Sequence, residues 1–166
     1  MARYEVDRPR TKLLVMARSS IHDTTTTFTA VSGTVDADRA DLASARATFR
    51  VDLAEFDAGD WLKNRKMKSE LDPDKYPSAT FELTAIRDLS QQDDGSFEAV
   101  AHGTLRYRGR EVATAIAGKG TITDRHIEAS GRFEIDLRDF GMKPPRVLMF
   151  KMEPGLALEV TLRMQA

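Results

Sequence analysis

The sequence predicts an all-β protein of about eight antiparallel strands, arranged as a sandwich or as a closed barrel. Three observations carry that prediction. Apolar and polar residues alternate with a period of two along almost the whole chain, the pattern of strands with one buried face. Clusters of Gly, Asp, Ser and Thr interrupt the alternation at short intervals, as hairpin turns require. One segment departs from it and spaces its apolar residues as a helix does.

Lys12 to Arg18 and Thr26 to Val35 read as the first strands. Ala45, Ala47, Phe49, Val51 and Leu53 then alternate with Arg46, Thr48, Arg50 and Asp52, which describes a half-buried strand. From Asp60 to Leu71 the alternation stops. Trp61, Asn64, Met67 and Leu71 fall on one side of a helix, while Lys63, Lys66 and Ser69 lie away from them. Asp57 or Asp60 caps its start, and Pro73 with Pro77 ends it. Strands resume at Thr80 to Leu89 and at Phe97 to Tyr107, where Phe97, Ala99, Ala101, Gly103, Leu105 and Tyr107 share a face. Glu111 to Ala117 and Gly120 to Thr123 read as two strands joined by a turn at Gly118-Lys119-Gly120. Ile127 to Leu137 and Leu156 to Met164 are the last two. Further turns are expected at Asp93-Asp94-Gly95-Ser96, Arg108-Gly109-Arg110 and Thr123-Asp124-Arg125. No repeat or linker divides the chain, so residues 1–166 are expected to form one domain, as their number suggests.

Composition narrows the function. With 25 Lys and Arg against 26 Asp and Glu, the chain lacks the basic excess of a nucleic-acid reader. It contains no cysteine, which removes disulfides, iron-sulfur clusters and thiol nucleophiles. The three histidines, His22, His102 and His126, are too scattered for a metal cage, and no cofactor is expected. The early apolar run Leu13 to Ala17 meets Arg18 at once, short of the roughly 7–15 apolar residues of a secretion leader. No run approaches the roughly 18 apolar residues of a membrane span. A cytoplasmic protein that does not span the membrane is expected.

Five motifs, in order, carry a resemblance. Tyr4-Glu5-Val6-Asp7 opens the chain, and Val31-Ser32-Gly33-Thr34-Val35 follows as a glycine-containing strand. Tyr76-Pro77-Ser78-Ala79-Thr80-Phe81 comes after the helix, Gly103-Thr104-Leu105-Arg106-Tyr107-Arg108-Gly109 enters a hairpin, and Arg138-Asp139-Phe140-Gly141-Met142 comes late. Together they make the sequence resemble the YceI-like proteins, a lipocalin-like group linked to binding of polyisoprenoids and other lipids. The resemblance implies an antiparallel eight-stranded lipocalin-like β-barrel with one short inserted α-helix near a mouth. It also implies an apolar interior for a long lipid tail, a non-enzymatic role and a homodimer. Many members of that group are exported.

An eight-stranded barrel is either filled by its own side chains or holds one small ligand, so the size of the inward residues decides. Ala99, Ala101, Gly103, Ala129 and Gly131 are small. They leave space or else let neighbouring strands approach, and the resemblance favours space. The expected ligand-binding set is Phe49, Val51, Trp61, Met67, Leu71, Phe81, Leu83, Ala101, Leu105, Phe133, Ile135 and Leu158. Burying about ten methylenes of a lipid there gives a gross gain near 8 kcal/mol, so no polar anchor is needed.

Polar candidates for the mouth are Arg18, His22, Arg138, Asp139 and Arg146, where a guanidinium would clamp a phosphate or carboxylate head. The competing structural role pairs Asp139 with an arginine to support the Phe140-Gly141 turn. A hydrolase-like alternative uses Arg18, His22 and Asp139, with Ser19 or Ser20 as nucleophile, but no Gly-x-Ser-x-Gly elbow is present. A third possibility is a dimeric, stress-related scaffold with a filled barrel. Lys63, Arg65, Lys66 and Lys68 form a basic stretch in the helix that would attract an anionic lipid surface. In the sequence Asp60, Glu70, Asp72 and Asp74 nearly cancel it.

Overall fold

The structure, a computed structural model, describes residues 1–19, 23–143, 146–147 and 150–166. In chain order its strands are β1 (Ala2–Val6), β2 (Lys12–Ser19), β3 (Thr24–Phe28), β4 (Val31–Asp38), β5 (Asp41–Asp52) and β6 (Phe56–Asp57). After the single helix α1 (Trp61–Leu71) come β7 (Ser78–Gln91), β8 (Ser96–Tyr107), β9 (Arg110–Ile122), β10 (His126–Asp136), β11 (Arg146–Val147) and β12 (Phe150–Gln165). Short 3-10 turns occupy Arg8–Arg10 and Leu137–Phe140.

The alternation becomes a closed antiparallel barrel of eight walls. Neighbours follow the order β1-β4-β5-β7-β8-β9-β10-β12, and β12 closes the ring by pairing Gln165 with Glu5 and Met164 with Val6. Among the described residues, closure leaves no long exposed edge. β12 is long enough to pair with β1 near its end and with β2 from Met152 to Thr161, so β1 and β2 form one wall interrupted at Arg8–Arg10. Pro9 explains the interruption, since it cannot donate to a ladder. Buried Thr11 repairs the gap: its hydroxyl donates to the Arg163 carbonyl at 3.2 Å and accepts from the Arg163 amide at 3.1 Å.

Several expected boundaries change. Thr26 to Val35 divides into β3 and β4. The expected turn at Gly118-Lys119-Gly120 is not a turn, because β9 runs through it and pairs on both sides. Gly120 lies against Ala129, where a Cβ would collide with that residue and with the Glu128 carbonyl. Here glycine permits close strand approach instead of reversing the chain. The Arg108-Gly109 turn is as expected: both residues have positive φ, 53° and 73°, as a two-residue type I′ hairpin demands. β1, β6 and β11 were too short to read from the pattern.

The two ends of the barrel differ. At one end Tyr4, Ala37, Leu42, Ile122, Ile127 and Met164 pack together, and the Tyr4 hydroxyl donates to the Thr123 carbonyl at 2.6 Å. That end is plugged. At the other, α1, the Arg108-Gly109 hairpin and the Leu137–Phe140 turn surround the mouth.

Candidate ligand cavity

Above the plug the barrel encloses a cavity of about 440 Å³ whose wall is almost entirely hydrocarbon. The pleat produces it. Each wall sends alternate residues inward, and many of these are small: Ala17, Ala45, Ala47, Ala99, Ala101 and Ala129 all face the space, as does Gly118. A Cβ at Gly118 would touch only the Ser130 carbonyl, at 3.2 Å. The inward alanines make room, whereas Gly103 and Gly131 serve close packing, since a Cβ there would run into Phe81 and Ile116.

Eleven of the expected interior residues lie on this wall. Phe49 and Val51 of β5, Phe81 and Leu83 of β7, and Ala101 and Leu105 of β8 face the cavity. So do Phe133 and Ile135 of β10, Leu158 of β12, and Met67 and Leu71 of α1. Trp61 does not: it is 73% exposed and points away from the barrel. Helical spacing put it with Met67 and Leu71, but at the first turn of a helix lying across a rim that side no longer faces the interior. The expected set also omitted Leu13, Val15, Ile116, Leu156 and Val160, which line the wall as well. The signal for them is the same alternation, weaker around Leu13, Val15 and Ile116 but plain for Leu156 and Val160, which share the face of Leu158.

Polar groups gather at the helix end. Lys63, Lys66 and Glu70 of α1, with Glu153 of β12, edge the cavity, and Lys66 Nζ lies 3.3 Å from Glu70 Oε1. None of the α1 residues is buried, so the helix covers the mouth without sinking into it. Side-chain bonds hold its ends. Asp60 is the N-cap and accepts from the Lys63 amide at 2.8 Å, while Asn64 Oδ1 accepts from the Ala58 amide. At the other end Arg108 Nη2 donates to the carbonyls of Glu70 at 2.7 Å and Leu71 at 3.3 Å. The Arg108 guanidinium lies 4.3 Å from the Tyr76 ring centre, and Tyr107 packs edge-on to Tyr76 and against Phe140. The Tyr107 hydroxyl and Arg108 Nε are buried without a hydrogen-bond partner among the described residues.

Of the polar mouth residues expected from the sequence, the described ones, Arg18, Arg138 and Asp139, do not line the cavity. Arg18 and Asp139 are exposed, and neither lines the cavity. Arg138 is also exposed and chelates Asp136, not Asp139, with Nη2 to Oδ2 at 2.7 Å. Asp136 also accepts from the Arg138 amide at 2.9 Å and so caps the turn that carries Leu137 and Phe140 to the cavity. The Arg138 hydrogen bonds hold the Asp136 carboxyl down at a pKa of about 2. Asp136 therefore has the structural role that Asp139 was expected to play. Ser20, His22 and the Arg146 side chain lie outside the described residues. His102 and His126 are exposed.

Fold and cavity together define a hollow antiparallel β-barrel with an apolar interior and a helix across its mouth. The chain belongs to the YceI-like family, whose domain matches residues 4–166. No curated protein matches its sequence. Among solved structures it is similar to BcnA of Burkholderia cenocepacia, with a TM-score of 0.78 at 20% identity over 95% of this chain and 98% of that one. It is also similar to a polyisoprenoid-binding domain from Saccharophagus degradans implicated in plant cell wall breakdown, with a TM-score of 0.74 at 16% identity over 98% of each chain. A YceI protein of Campylobacter jejuni superposes with a TM-score of 0.70 at 14% identity, covering 89% of this chain and 87% of that one. At such identities the likeness is one of fold. Among the described residues no helix is long and apolar enough to cross a membrane.

Proposed function

We propose that this protein is a non-enzymatic carrier that holds one long apolar chain, isoprenoid or fatty-acyl, inside the barrel. The observation that carries this reading is the cavity of about 440 Å³ walled by aliphatic and aromatic side chains. A space of that composition binds by removing hydrocarbon from water, with a gross gain of about 0.8 kcal/mol per methylene. The family membership and the polyisoprenoid-binding structural neighbour support the class of ligand. Charged groups stand at the helix end, where a polar head would reach solvent while the tail runs toward the Tyr4 plug. Of the described residues expected to act in a hydrolase, Ser19 lines the cavity while Arg18 and Asp139 do not, which favours holding over chemistry.

The test is organic extraction of the purified protein followed by mass spectrometry, with titration of the emptied barrel by an apolar fluorescent probe. A lipid recovered at one per chain, and a probe displaced by it, are the expected results. Absence of both extractable lipid and probe binding would sink the reading. The homodimer belongs to the same proposal, and sedimentation should give twice the chain mass.

A further inference from the structure

We propose that the outward face of α1 docks the open end of the barrel onto an anionic lipid bilayer. In the sequence the basic stretch of the helix is balanced by nearby acids, but the fold separates the charges. Trp61, Leu62, Arg65, Lys66, Lys68 and Ser69 are the exposed residues of α1, whereas Lys63, Asn64, Met67, Glu70 and Leu71 are half-buried against the barrel. The solvent face therefore carries three cations and no carboxylate. The one acid within the helix, Glu70, is turned inward and paired with Lys66. Of the flanking acids, Asp60 is the N-cap, Asp57 accepts from the Gly59 amide at 2.9 Å, and Asp72 and Asp74 lie past the last turn, so these carboxylates are exposed at the ends of the helix and not along its outward face.

The same face presents the most exposed large apolar side chains of the described residues after Met1: Trp61 at 73% and Leu62 at 55%. They are adjacent in sequence and stand on the first turn, beside the cations. An indole and a leucine next to lysine and arginine suit the water-to-lipid boundary, where the ring sits at headgroup level and the cations meet anionic phosphates. A protein partner would equally bury Trp61 and Leu62, but the cations along the exposed helix face favour a uniformly anionic surface. Because α1 lies across the mouth, docking this face would set the cavity opening against the membrane. The proposal goes beyond the carrier reading and does not depend on it.

Trp61 is the only tryptophan in the chain, so the native protein reports on its own docking. The protein is mixed at low salt with phosphatidylcholine vesicles, and separately with vesicles of phosphatidylcholine and phosphatidylglycerol. The expected result is a blue shift of Trp61 emission and co-sedimentation with the anionic vesicles only, both reversed by added salt. Arg65→Gln with Lys68→Gln should lower vesicle partitioning roughly 25-fold, about fivefold for each charge removed. Neither residue lines the cavity, so apolar-probe binding should be unchanged in that variant. The same charge change made elsewhere, at Arg46→Gln with Arg87→Gln, should leave partitioning as it was. No shift and no sedimentation with anionic vesicles would overturn the proposal, as would equal binding to both vesicle types or equal losses in the two double variants. Loss of probe binding with vesicle binding intact would instead sink the carrier reading.

Discussion

Gly103 and Gly118 stand on adjacent walls and look alike in sequence, yet their surroundings differ. A Cβ at Gly103 would run into the Phe81 ring and the Glu82 carbonyl, whereas one at Gly118 meets a single carbonyl at 3.2 Å. Gly103→Ala is expected to destabilise by about 1–3 kcal/mol, as overpacking does, and Gly118→Ala to cost less, both read by denaturant unfolding. Gly118→Leu should project into the cavity and weaken apolar-probe binding at least about tenfold, a loss of about 1.4 kcal/mol, while the barrel still folds. Asp136 supplies a pH test. Its carboxyl is held below the ordinary value of 3.8, at about 2, chiefly by the Arg138 side chain. A depressed pKa stabilises the fold while the group is ionised, so the contribution is present above 3.8 and is lost as pH falls toward 2. Asp136→Asn should be less stable than the native protein at neutral pH, and the two acid-unfolding curves should converge near pH 2. That a carboxylate supports the Phe140-Gly141 turn was legible. That it is Asp136 and not Asp139 was not, because which of the two carboxylates Arg138 meets depends on how the chain bends through Leu137–Phe140.

α1 shows what an element reveals about itself. Its extent was legible because local chemistry sets it: a capping Asp60, helical spacing, and prolines beyond. Its outward side was not, since Trp61 belongs by spacing to the side that carries Met67 and Leu71 and yet is exposed. Contacts from elsewhere orient the helix, above all Arg108, which reaches the carbonyls of Glu70 and Leu71 from the β8–β9 hairpin. Arg108→Ala should release the last turn, at a cost of roughly 2 kcal/mol for charge-assisted hydrogen bonds. Hydrogen exchange is the measurement: amides near Asp72 should exchange faster while those of β8 and β9 in mid-barrel are unchanged. Asp60→Ala should loosen the opposite end by about 1 kcal/mol, the usual loss of an N-cap. β9 makes the same point in reverse. Gly118 and Gly120 read locally as a turn, and only their ladders with Ala99, Phe97, Gly131 and Ala129 keep the strand straight.

For the whole molecule, an occupied cavity should behave as a stabilising ligand site. A ligand at about 100 times its Kd adds roughly 2.7 kcal/mol, which for a chain of this length corresponds to roughly 5–11 °C in Tm. Delipidated protein should melt lower by that amount and recover when an apolar chain is restored; an unchanged Tm would mean that nothing enters the folded barrel. The alternation of apolar and polar residues determined by itself that the chain makes antiparallel strands with one dry face, because the pleat sends successive side chains to opposite sides. Ordered motifs from Tyr4 to Met142 pointed to the family. Tertiary structure decided the rest. Closure depends on β1 meeting β12, a pairing between opposite ends of the chain that no local pattern records. The hollow interior depends on what faces Ala101 and Ala129 across the barrel, since a small side chain leaves space only when nothing opposite fills it. The separation of cations from carboxylates on α1 likewise came from orientation, which local spacing leaves free and contacts made across the fold determine.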